Sequence, residues 1–165
     1  MRHNKEIQAL ADKCAQEKTD FIVSLAGPGV KGDTLAVSQQ NRQMELLGEP
    51  ANMTVEKLLQ DKPEKVIPWA EWFVNYDPSA NIAATRCPVF ALNGDHDWQV
   101  LSSLNLTAIE RLLPKSKYNL IKEYPGLNHL FQHCTTGLTN EYRQIEETIS
   151  PEVLSDIAEW INGLK

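Results

Sequence analysis

Cys87-Pro88-Val89-Phe90-Ala91-Leu92-Asn93-Gly94-Asp95-His96-Asp97 is a short apolar run that opens on a proline and closes on Asn-Gly, two acids and a histidine. A strand covered on both faces reads as such an unbroken apolar run, and open α/β sheets keep their chemistry beyond the carboxyl ends of their strands. Further along stands a second polar delivery, Tyr124-Pro125-Gly126-Leu127-Asn128-His129. An acid and then a histidine, each just past a strand with a helix between them, form the second half of a Ser…Asp…His order.

The flanking segments extend this pattern on both sides. Phe21-Ile22-Val23-Ser24-Leu25 is apolar and β-branched, so it is expected to be a buried strand, stopped by Gly27-Pro28-Gly29. Residues 103–113 are predicted helical, with Leu104, Ala108, Ile109 and Leu112 inward and Pro114 just past the end. Tyr118–Glu123 is the third expected strand, and 130–149 is polar and loop-like. Ser150 is predicted to cap a last helix that has Pro151 in its first position and a stripe of Val153, Leu154, Ile157, Trp160, Ile161 and Leu164. At the other end, Ile7, Leu10, Ala11 and Cys14 give residues 4–17 helical spacing. Residues 34–80 read as helical pieces over about 34–47, 54–60 and 68–75, broken by Gly48, Pro50, Pro63 and Pro68. Strands alternating with helices imply an α/β fold with a three-stranded parallel sheet, right-handed crossovers and flanking helices. Its core is expected from 1–33 and 81–165, with 34–80 as a helical insertion.

The 165 residues suit one domain, and 42% apolar with 23% charged residues are globular proportions. A net charge of −6 argues against nucleic acid and anionic membrane as partners. No apolar run approaches the ~20 residues that span a bilayer. Met1-Arg2-His3-Asn4-Lys5-Glu6 has no apolar stretch behind it, so it does not read as a signal peptide; the chain as given reads as cytoplasmic, with an exported parent as the open alternative. Cys14, Cys87 and Cys134 are far apart with no CxxC, which disfavours both a disulfide framework and a thiolate zinc site.

The chemistry is expected at Asp97 and His129. An imidazole serves as a general base when a carboxylate on its far nitrogen fixes the tautomer and stabilises the cation. Adjacent parallel strands would bring the two together; the bland alternative is a turn-capping aspartate and a surface histidine. Asp95 competes for the acid role but is better placed to cap the turn after Gly94, leaving His96 exposed. His133, four residues past His129, could make a metal pair on a helix, but no glutamate follows the first histidine and the flanks suit a loop, so no metal is expected. Gly27-Pro28-Gly29-Val30-Lys31-Gly32 fits GxGxxG by letter, yet Pro28 lacks an N–H and no acid-tipped second strand follows at dinucleotide spacing, so no cofactor is expected. Trp69, Trp72, Phe73 and Tyr76 are expected to pack as core, with a substrate-lining lid as the alternative.

These segments resemble the C-terminal half of an α/β-hydrolase fold serine hydrolase, of a bacterial group described as esterases or peptidase-like. The resemblance rests on Asp20–Gly29, Tyr76-Asp77-Pro78, Cys87–Gly94 with Asp97-Trp98-Gln99-Val100, and Gly126–Gln132, and spans most of 18–165. It implies that the strands correspond to the sixth, seventh and eighth of that fold, that 34–80 is a cap, and that the parent activity is hydrolysis of an ester or amide by a Ser-Asp-His triad. Asp97 would orient and His129 would be base and then acid. The serine is the departure: it should stand near position 4, where the sequence reads His3-Asn4-Lys5-Glu6, and no Gly-x-Ser-x-Gly occurs in the chain. The oxyanion loop is missing as well. The chain alone is therefore expected to be inactive, and to self-associate through the sheet edge beside Phe21–Leu25. The rival classes are a non-catalytic, self-associating interaction module and a nucleotide-binding domain.

Overall fold

The computed structural model describes residues 19–60 and 68–164. The expected helix over 4–17 and the break at Pro63 lie outside the described residues. Three strands form one sheet in the order β1-β2-β3: β1 (Ile22–Leu25), β2 (Val89–Gly94) and β3 (Leu120–Tyr124). Both pairings are parallel, with Leu25 beside Leu92 and Gly94 beside Tyr124, so all three carboxyl ends share one rim.

β2 is buried at every residue, as its unbroken apolar run requires. Its alternation sorts side chains into two cores. Phe90 and Leu92 meet Tyr124, Leu127, Phe131 and Val153 on one face; Val89 and Ala91 meet Leu106 and Ile109 on the other. A fully buried side chain of this size contributes roughly 1.5–3 kcal/mol, so the central strand anchors both layers.

The helices are α1 (Gly32–Leu46), α2 (Val55–Gln60), α3 (Pro68–Asn75), α4 (Ser79–Ala84), α5 (Ser102–Leu112) and α6 (Pro151–Gly163). The first four lie in the connection from β1 to β2. In α1 only Gly32, Asp33 and Leu35 are buried, and α2 and α3 bury no residue fully. The α1–α2 link is tied by Asn41, whose amide exchanges two hydrogen bonds with the Met53 backbone at 2.8 and 3.0 Å.

Several expectations shift in detail. β2 runs past the expected strand of Pro88–Leu92 to Gly94, and β3 occupies 120–124 rather than 118–123. α4, unread in the sequence, is held by the Ser79 N–H donating to Asp77 Oδ1 at 2.9 Å. The inward side of α5 holds Asn105 and Leu106 besides Ala108 and Ile109, while Leu104 and Leu112 are only half-buried. Asn105 earns its burial by accepting the Gly29 N–H at 2.9 Å and donating to the Leu101 carbonyl at 2.9 Å. Ser150 stands at the N-cap of α6 without a side-chain capping bond; instead its N–H donates to the Phe131 carbonyl. Leu154 faces solvent. The aromatic group of α3 is not buried core: Trp69 stacks on Phe73 at 5.1 Å and Trp72 on Tyr76 at 4.8 Å, a ladder at i,i+4 spacing with Trp69 exposed.

Candidate functional site

Beyond Gly94 the chain turns at once. A Cβ at Gly94 would lie 2.0 Å from the Leu127 carbonyl oxygen, so the loop after β3 crosses directly over the end of β2 and only glycine lets it. Backbone bonds continue the crossing: the Asp95 N–H donates to the Tyr124 carbonyl and the His96 N–H to the Leu127 carbonyl, both at 3.1 Å. The two polar deliveries thus become one surface.

Asp97 is 2% exposed. Its Oδ1 accepts the Gln99 and Val100 N–H groups at 2.8 and 2.9 Å, which close a turn leading toward α5. Its Oδ2 lies 2.8 Å from Nδ1 of His129. A carboxylate engaged with two N–H donors acts here as an acceptor, so Nδ1 is the ring nitrogen that donates to it and Nε2 is the one left facing outward. The His129 side chain is 30% exposed, and no partner for Nε2 is present among the described residues. Such a nitrogen can take a proton from a bound hydroxyl or water and return it to a leaving group.

The loop that presents His129 is over-determined. Asn128, fully buried, accepts the Leu130 and Gln132 N–H groups at 2.9 and 3.0 Å and donates to Gln132 Oε1 at 3.0 Å. Gln132 in turn donates to the Glu147 carbonyl at 2.8 Å. Phe131 sits at φ +59°, an uncommon place for an aromatic residue, with its N–H on the Asn128 carbonyl and its ring against Tyr124.

The competing residues fall elsewhere. Asp95 does not cap its own turn; it reaches across the strands and accepts the Gly126 N–H at 2.7 Å while pairing with His96 Nδ1 at 2.7 Å. Burial pushes its carboxyl up, but the bonds from His96 and Gly126 outweigh that and hold it below the usual range. His96 is half-exposed. His133 pairs with Glu147 at 3.0 Å rather than sharing a point with His129, and no cluster of three His, Cys, Asp or Glu side chains suited to a metal exists among the described residues. Two amides of the Gly27–Gly32 loop are engaged within the fold, Gly29 with Asn105 Oδ1 and Gly32 with the Tyr76 carbonyl, and are not free to face a phosphate. Burial pushes the Cys134 thiol up, against a thiolate role.

Tyr142 carried no site signal in the sequence, and Gln99 entered only as part of the Asp97–Val100 segment. Gln99 Nε2 donates to the Tyr142 hydroxyl at 3.0 Å, joining the Asp97 turn to a single helical turn at Tyr142–Gln144. Tyr142 is the one tyrosine in a stretch otherwise read as polar loop.

No protein-family model matches the chain, and no curated protein matches it. Among the described residues no helix is long and apolar enough to cross a membrane.

Proposed function

We propose that Asp97 and His129 are the acid–base pair of an acyl-hydrolysing site of the α/β-hydrolase type. One observation carries the reading: a buried carboxylate grips Nδ1 of an imidazole at 2.8 Å, at the common rim of adjacent parallel strands, while the other ring nitrogen stays open. In that arrangement His129 moves the proton and Asp97 orients and stabilises it. The nucleophile is a serine supplied from outside the Asp97–His129 half-site, since no Gly-x-Ser-x-Gly occurs in these 165 residues. Without it and without oxyanion donors, acyl transfer does not reach enzyme-like rates. The substrate class is an ester or amide.

Two measurements test this. Purified chain, assayed on short-acyl nitrophenyl esters, is expected to turn over no faster than His129→Ala; clear turnover that the substitution abolishes would place the nucleophile within the chain. Long-range 15N–1H spectra are expected to show His129 protonated at Nδ1, and the opposite tautomer would remove the pair.

A second reading has one observation in its favour. β1 pairs only with β2 among the described residues, and Leu25 at its end is 51% exposed. An open strand edge recruits another strand, so a self-associating module is the alternative. Light scattering that shows a monomer at high concentration would end it.

A further inference from the structure

Asp97 and His129 meet only if both are held. Asp97 is held by its own turn, through the Gln99 and Val100 N–H groups. His129 stands in a loop closed at its base by an antiparallel bridge between Leu127 and His133. On the near side of the histidine, the Leu127 carbonyl takes the His96 N–H at 3.1 Å and ties the loop to the exit of β2. The far side is anchored by a residue 14 positions beyond His133.

That residue is Glu147. Its Oε2 accepts the His133 N–H at 2.8 Å, and its carbonyl accepts Gln132 Nε2 at 2.8 Å, so two consecutive loop residues hang from one. The Gln132 side chain carries the hold inward. Its Oε1 accepts from Asn128 Nδ2 at 3.0 Å, and Asn128 Oδ1 accepts the Leu130 and Gln132 N–H groups. His129 therefore lies between two members of this net. Glu147 is itself fixed from behind: Ile149 packs against the core of Phe90 and Val153, and the Ser150 N–H donates to the Phe131 carbonyl at 2.8 Å. The His133 ring also approaches the carboxylate, at 3.0 Å, but 65% of that side chain is exposed, and such a pair contributes little. The backbone N–H is the stronger partner, since a donor on an ionised acceptor makes the better bond. It is also the main reason that the Glu147 carboxyl lies below its usual range.

We propose that Glu147 is a positioning residue for His129, acting through the His133 N–H and the Gln132 amide to hold the imidazole against Asp97. The proposal rests on reading Asp97 and His129 as an acid–base pair. It draws the segment leading into α6 into the support of the site and assigns the His133 ring no part in it. A misplacement of about 1 Å can cost ~10²-fold in rate, so such an anchor bears directly on proton transfer.

The experiment measures, on the full 15N-labelled chain, how fast three protons exchange with water: His129 Nδ1–H and the Leu130 and Gln132 amides. The Phe90 and Leu92 amides of β2 report global opening. Glu147→Ala is expected to speed all three about fivefold relative to β2, the worth of one hydrogen bond of ordinary net strength. Glu147→Asp, which keeps the charge but falls a methylene short, is expected to do the same. Glu147→Gln, whose amide oxygen accepts the same N–H, is expected to restore the slow rates, and His133→Ala, which keeps the N–H, to leave them unchanged.

Three results would overturn the proposal. The three protons could speed up only as much as Phe90 and Leu92, which is a plain loss of stability. His133→Ala or Glu147→Gln could match Glu147→Ala, which would take the backbone bond out of the route. Or Glu147→Ala and Glu147→Asp could both leave His129 Nδ1–H as slow as before. Failure of the underlying reading looks different: Asp97→Asn would then leave His129 Nδ1–H unaltered, whatever the Glu147 variants do to the Leu130 and Gln132 amides.

Discussion

Replacing Asp97 separates what the carboxylate does for the fold from what it does for His129. In Asp97→Ala three donors lose their acceptor at once: the Val100 N–H, which is buried, the Gln99 N–H, which is partly so, and His129 Nδ1, whose ring can turn to water. An unpaired buried donor costs about 1–3 kcal/mol, and partial solvation reduces the second and third, so a net loss of roughly 3 kcal/mol is expected. Against a total stability of ~5–15 kcal/mol that is a large fraction. Asp97→Asn behaves differently. Its Oδ1 still accepts both backbone N–H groups, but its Nδ2 now faces His129 Nδ1 with a hydrogen, so the imidazole must turn Nδ1 into an acceptor and carry its proton on Nε2. The expected loss is therefore only ~1 kcal/mol, with the tautomer inverted. Urea unfolding reads the first quantity and long-range 15N–1H spectra the second. Equal destabilisation by both substitutions, or an unaltered tautomer in Asp97→Asn, would refute the reasoning.

Gly94→Ala is expected to cost upwards of ~2 kcal/mol in urea unfolding, since the new methyl meets the Leu127 carbonyl at 2.0 Å and can be accommodated only by lifting the His129 loop. Phe90→Ala, at 0% exposure between Leu92, Tyr124 and Trp160, is expected to lose about 3–5 kcal/mol by the same assay. Asp156 accepts hydrogen bonds from Lys122 and from the Tyr124 hydroxyl, which hold its carboxyl below the usual range. A depressed carboxyl stabilises in full above its unfolded value of roughly 4, and that contribution is lost as pH falls through the lower folded value, so Asp156→Asn should flatten the acid limb of the stability–pH curve while leaving its shape from pH ~5 to neutrality unchanged. A limb as steep as that of the unsubstituted protein would count against it.

The sheet was legible because β2 obeys two rules at once. Its apolar run is long enough to be covered on both faces, and Asn93-Gly94 marks where it ends, so the position of Asp97 past a carboxyl end followed without coordinates. His129 was read past β3 from weaker signs, the faint alternation of Tyr118–Glu123 and the turn residues Pro125-Gly126 after it. What escaped depended on contacts between segments distant in sequence. Asp95 looks like a turn cap because its neighbours are turn residues; that it serves Gly126 instead depends on the next strand's exit lying over it. Asn105 breaks the inner stripe of α5, and a polar residue there has no periodic signal; its partner, the Gly29 N–H, lies 76 residues back in the chain. The aromatics of α3 follow helical spacing, but spacing cannot say whether a layer exists to cover them, and here they cover one another.

The same bonds that end the sheet also build the site, and this bears on how rigid it is. Between Gly94 and Gln132 the chain has one short helix and one short strand, yet both exits are cross-tied: Asp95 to Gly126 and Tyr124, His96 to Leu127, Asp97 to His129. Each tie reduces the freedom of the next, because a donor already aimed loses less entropy on pairing than one held on a free loop. The Asp97–His129 bond is thus set by a frame that exists whether or not the two side chains meet. A substitution at His129 should leave that frame standing, whereas one at Gly94 or Asn128 should disturb both the frame and the pair. A dyad assembled by chance on a mobile surface would show the reverse: local substitutions harmless to stability, and a histidine whose tautomer varied with no single neighbour. The distinction lies in whether the loss of stability at Asn128 and the loss of Nδ1 protonation at His129 rise together, and the buried amide bonds of Asn128 require that they do.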